Sequence, residues 1–185
     1  MIFLNKKAKY MLSAVGEHFL YIVMSFVLIL IFGAMLHKIL WLLSIITALV
    51  YLSAMYSTGW SNSGKDMRAA KSSLKLGESD TLDYRIYDGF IYAIPLLALS
   101  VIVLVLNLIF GSYLVPIFRV YNVAFVYLLD IDGKSGIIVD IIATVLPYLC
   151  YGIGYIMGKD KRVFLVKYIN KLVYKSSKNQ DKLRK

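Results

Sequence analysis

The sequence predicts an all-α polytopic membrane protein: four transmembrane helices, an outer interfacial or re-entrant helix, and basic amphipathic cytoplasmic helices. Three observations predict it. Of the 185 residues, 59% are hydrophobic and 17% are charged, against roughly 45–50% and about 25% in a soluble domain; the mean hydropathy is +0.70. The apolar residues gather into blocks long enough to cross a bilayer, which takes about 20 residues at roughly 1.5 Å rise each. The lysines and arginines are then divided very unevenly among the segments between those blocks, as the positive-inside bias of membrane proteins leads one to expect.

The first block covers residues 18–36, behind Lys6, Lys7 and Lys9. A basic start before an apolar run also describes a signal peptide. This run is longer than the usual core of about 7–15 residues, and no small-x-small cleavage pattern follows it, so it reads as a retained helix. The second block covers 39–60, after a turn holding His37 and Lys38. Its two tryptophans, Trp41 and Trp60, stand about 28 Å apart along a helix, close to the hydrocarbon thickness of about 30 Å, so both indoles reach interfacial belts.

A polar segment, 61–88, separates the second block from the third at 89–110, and the fourth covers 136–158. Between the last two lies 113–129, apolar but carrying Pro116, Arg119 and Asn122. An arginine at a helix centre costs about 2.5–3.5 kcal/mol on insertion scales. Charge decides against a fifth span. Of the 21 Lys and Arg, three precede the first block, five lie in 61–88 and ten follow the fourth. Four spans place all three basic segments in the cytoplasm with both termini. A fifth would export the ten-charge tail, so 113–129 is expected on the outer side, along the interface or re-entrant. One transmembrane domain, 1–158, thus precedes a basic cytoplasmic tail, 159–185.

Two cytoplasmic segments have helical patterning. In 61–88, Lys65, Arg68, Lys71 and Lys75 share one face while Met67, Ala70 and Leu74 take the other. Ser61 or Asn62 offers a start cap and Gly77 an end. In the tail, Phe164, Leu165, Tyr168, Ile169 and Leu172 recur at helical spacing, with Lys161, Lys167, Lys171 and Lys175 off that stripe. Basic amphipathic helices lie among headgroups, each Lys or Arg adding about 1 kcal/mol near an anionic surface. The expected partners are therefore the bilayer and its anionic headgroups, with a membrane-protein partner or a homo-oligomer as the competing reading. Ordinary obedience to the positive-inside rule explains the same charges more plainly. It also explains the net charge of +10 without nucleic acid, for which no recognition motif is present.

Within the blocks, polar residues form stripes. Asp140, Thr144, Tyr148, Tyr151 and Tyr155 fall within a sector of roughly 80°, and such a face belongs in the bundle and not in lipid. Pro147, Gly154 and Gly158 on the same helix favour a close neighbour. Weaker stripes run through Glu17, Tyr21 and Ser25, through Ser44, Thr47, Tyr51 and Thr58, and through Tyr92, Ser100 and Asn107. A hydrated solute path is the functional reading. Interhelical hydrogen bonding, typically about 0.6 kcal/mol per contact, is the structural one, and a set made mostly of hydroxyls suits it better. Glu17 and Asp140 are the acids expected within membrane depth, where acids are functional candidates by default, although topology puts them on opposite sides.

No catalytic residue, metal site or cofactor is expected. Glu17 and His18 are adjacent, so they point about 100° apart on a helix, and no phosphate loop, Ser/His/Asp order or HExxH is present. Cys150 is the only cysteine, which excludes an intrachain disulfide and leaves a small apolar filler as its ordinary role. The leading expectation is a non-enzymatic component of the bacterial cell membrane, an accessory, assembly or regulatory subunit with a basic cytoplasmic face. The alternatives are a small oligomeric transporter or channel using the polar stripes, and an intramembrane lipid-modifying enzyme. Gly59–Trp60 with Gly64–Lys65–Asp66, then Gly89 and Pro95, Arg119 with Tyr121–Asn122, and Pro147 with Gly154–Tyr155 resemble a group of small four-span membrane proteins of Gram-positive anaerobes. That resemblance covers most of the chain and implies topology alone.

Overall fold

The computed structural model describes residues 6–33, 39–77, 84–110, 115–129 and 136–159. Among them every regular element is helical: α1 Lys6–Gly33, α2 Leu40–Lys75, α3 Asp88–Phe110, α4 Val115–Tyr121, a 3₁₀ turn Val123–Phe125, and α5 Gly136–Gly158. Four of these, α1, α2, α3 and α5, are long and apolar enough to cross a membrane. Their outward faces carry large uncovered side chains such as Leu30, Leu49, Ile102 and Ile138. In water that would be a liability on this scale; in lipid it is the expected surface.

The long helices form a ring in which α1 packs on α2, α2 on α5, α5 on α3 and α3 back on α1. The most extensive of these contacts is α2 with α5, and glycine makes it. A Cβ on Gly59 would run into the Tyr151 carbonyl, and one on Gly154 would run into the Tyr56 carbonyl. The two backbones therefore meet directly, as small residues permit in membrane helix pairs. Tyr51, Met55, Leu96, Tyr151 and Tyr155 fill the core around this crossing. α4 and the 3₁₀ turn form a wedge packed on α1, α2 and α3, with Phe118, Tyr121, Val123, Ala124 and Phe125 buried.

Two helices extend beyond the apolar blocks read from the sequence. α1 begins at Lys6, about three turns before the first apolar block opens at His18. Tyr10, Ala14, His18 and Ser25 make its buried stripe, so His18 lies midway along the helix and inside the bundle. The polar pair Glu17–His18 interrupts the apolar count but not the helix, because the ring of His18 is covered by its neighbours. The segment after Trp60 is also not a separate helix capped at Ser61 or Asn62. α2 runs through it without a break to Lys75 and ends at Gly77, whose φ of 70° is the left-handed conformation that favours glycine. The physical reason lies in the buried stripe Ser44, Thr47, Tyr51, Met55, Gly59, Asn62, Asp66 and Ala70. It keeps helical phase across the change from apolar to polar composition. The predicted tail helix with Lys161, Lys167, Lys171 and Lys175 lies outside the described residues.

Candidate functional site

Polar side chains meet in two clusters inside the ring. The first is at the end where α2 extends past its apolar part. Asp66, 5% exposed, accepts hydrogen bonds at Oδ2 from the Tyr155 hydroxyl at 2.6 Å and the Tyr92 hydroxyl at 3.3 Å. Tyr10 of α1 brings a third phenol to the carboxylate, with its ring 5.2 Å from that of Tyr92. All four long helices thus converge on one carboxylate. One turn earlier, Asn62 donates to the Tyr151 hydroxyl at 2.9 Å, and the Ser63 and Tyr84 hydroxyls are 2.7 Å apart. Tyr84 stacks on Tyr155 with ring centroids 5.8 Å apart, and the Lys159 ammonium sits over the Tyr84 ring, 5.9 Å from its centroid. Gly89 is required here, because a Cβ would strike the Tyr155 ring.

The second cluster ties the wedge into the bundle. His18 Nδ1 is hydrogen-bonded to the Tyr51 hydroxyl at 2.5 Å, and the Tyr121 ring lies 4.6 Å from the imidazole. Tyr121 and Ser100 share a hydrogen bond of 2.9 Å. The carbonyl of Ala124 accepts from both Ser44 and Thr47 at 3.0 Å. The wedge is therefore held by α1, α2 and α3 at once. Between it, α1 and α2 lies a small cavity with about 10 Å³ of room for a water-sized centre.

The residues singled out from the sequence distribute as follows. Thr144, Tyr151 and Tyr155 are buried, Tyr148 is half-buried with its ring 5.6 Å from Phe90, and Asp140 is half-buried. The Asp140 carbonyl accepts the Thr144 hydroxyl at 2.7 Å, and the charged group that acts on its carboxylate is Arg119 of α4. Glu17 is half-buried on α1, and Asn107 is half-buried near the C-terminal end of α3. Lys65, Arg68, Lys71 and Lys75 are exposed along the α2 extension, while Met67 and Ala70 are buried on its other side and Leu74 is exposed. The Lys65 ammonium reaches Asn62 Oδ1 at 3.5 Å. Cys150 is half-buried. Among the described residues no group of three or more His, Cys, Asp or Glu is placed to hold a metal.

Sequence reasoning did not place Asp66, Asn62 or His18 in the interior. Asp66 is a more deeply buried carboxylate than Glu17 or Asp140, the two acids singled out from the sequence. Its signal was present, since Asn62 and Asp66 continue the Tyr51–Met55–Gly59 phase and lie on the Met67–Ala70 side of the extension, opposite the lysines. His18 had the same kind of signal in its four-residue spacing from Ala14 and Tyr10. Compared with family models, curated proteins and solved structures, the chain matches none.

Proposed function

We propose that the chain is a four-span protein of the cell membrane with both termini cytoplasmic, the wedge entering from the outer side, and that it acts as a non-enzymatic accessory, assembly or regulatory subunit. The observation that carries this reading is that many of the interior polar groups hydrogen-bond to one another. Asp66 is taken by tyrosines, Asn62 by Tyr151, Tyr121 by Ser100, and Ser44 and Thr47 by the Ala124 carbonyl. Groups spent on one another fix a bundle and are not offered to a substrate. What faces outward is an apolar perimeter and the exposed row Lys65, Arg68, Lys71 and Lys75, suited to anionic headgroups or to a partner in the membrane.

The test is purification of the full chain in mild detergent from its own membranes, beside a variant with Lys65, Arg68, Lys71 and Lys75 all changed to Glu. A stoichiometric membrane partner retained by the parent and lost by the variant supports the reading. A parent that purifies alone, and whose vesicles conduct protons or ions above lipid-only vesicles, overturns it in favour of a small transporter or channel. One observation favours that second reading: a histidine held midway along the bundle beside a cavity, where an ionisable group marks a pathway more often than a packing contact.

A further inference from the structure

His18 is 3% exposed and has one ring nitrogen engaged, Nδ1 with Tyr51. Its Nε2 is buried and has no hydrogen-bond partner among the described residues. Buried polar groups are paired in nearly all native structures, with ordered water as a common partner. The imidazole forms part of the wall of the cavity between α1, α2 and the wedge, together with Tyr21, Ile22, Tyr51, Tyr121 and Asn122. That cavity has about 10 Å³ of room for a water-sized centre, about what one water needs.

We infer that this cavity is a binding site for a single water molecule, held by His18 Nε2 against the wedge. The ligand follows from the chemistry of the ring. If Tyr51 donates to Nδ1, then Nε2 carries the proton and needs an acceptor; if Nδ1 donates to Tyr51, Nε2 needs a donor. Water serves both tautomers, whereas a fixed side chain serves one. Water, imidazole and the Tyr51 phenol then form a three-membered hydrogen-bond chain that joins the wedge to α1 and α2. The rest of the wall contributes tyrosines, an amide and apolar groups and no charged side chain, so the imidazole is the basic group of the site. The site stands whether or not any solute moves through the bundle.

The full chain labelled with ¹⁵N-histidine and reconstituted in phosphatidylethanolamine–phosphatidylglycerol bilayers tests this directly. The sequence holds two histidines, and His37→Gln leaves the His18 signal alone. In water-edited solid-state NMR, the His18 Nε2 resonance should gain magnetisation from water. Ile22→Phe, a change at a half-exposed wall residue that fills the cavity from its rim, should reduce that transfer several-fold while the Nδ1–Tyr51 coupling persists. A His18 resonance that receives nothing from water overturns the inference. So does transfer that Ile22→Phe leaves unchanged with the Tyr51 coupling intact, since the water would then reach the ring by another route.

Discussion

Asp66 ties the four long helices together, because its carboxylate is the common acceptor for phenols from three other helices. Removing it leaves donors buried, and each unsatisfied buried donor costs about 1–3 kcal/mol. Asp66→Leu is therefore expected to destabilise the protein by about 2–4 kcal/mol, read as a lower unfolding temperature in detergent. Asp66→Asn keeps a carbonyl acceptor and should lose less than half of that. Asp140 gives the contrast. It is half-buried, and the hydrogen bond it makes with Thr144 uses its backbone carbonyl. Asp140→Leu leaves that bond in place and removes only the carboxylate on which the Arg119 charge acts. The Asp140 variant should therefore be milder than Asp66→Leu, and the reverse order would show that the outer charges matter more than the tyrosine cluster.

The α2–α5 crossing makes a prediction about helices as units. Gly59 and Gly154 each face a backbone carbonyl of the other helix, and a carbonyl in a helix cannot swing aside as a flexible side chain can. Gly59→Ala or Gly154→Ala forces the two axes apart, and overpacking of this kind costs about 1–3 kcal/mol. Gly64 lies on the same helix but has nothing within 4 Å of where its Cβ would be. There alanine adds only helix propensity, so Gly64→Ala should stabilise by about 0.5–1 kcal/mol. Opposite signs for two glycines five residues apart on one helix can be read from detergent unfolding of the three variants. Equal effects would mean that the close crossing is absent in the membrane.

At the scale of the whole molecule, topology is open to direct labelling. In a Cys150→Ala background, Ser135→Cys should react with an impermeant reagent added outside, and Ser177→Cys only after the cytoplasmic side is opened. Both positions lie outside the described residues, so this prediction rests on the charge division alone. Labelling of position 135 from inside, or of 177 from outside, refutes the four-span arrangement. The tail is testable by itself: a peptide covering 161–175 should become helical on anionic vesicles and be released as salt shortens the screening length from about 10 Å at 0.1 M. Helix formation on neutral vesicles to the same extent would remove electrostatics as its cause.

The four apolar helices and the all-helical class were legible because they depend on run length and on composition, both local properties. So was the exposed basic face of the α2 extension, where Lys65, Arg68, Lys71 and Lys75 announce themselves by period. The end of α2 at Gly77 was legible for the same reason, since a helix stop is written in the residues that make it. What the tertiary structure decided was the identity of the groups that meet. Asp66 and Lys65 are neighbours in sequence, yet one is buried beneath tyrosines and the other is exposed, and only the position of α3 and α5 distinguishes them. His18 likewise looks like the polar end of an apolar run until α2 and the wedge close over it. Hydropathy counts what a residue is, whereas burial depends on which partners the fold brings to it. For a polar residue in a membrane bundle the partner decides the outcome, because an unpaired polar group is expelled and a paired one is kept.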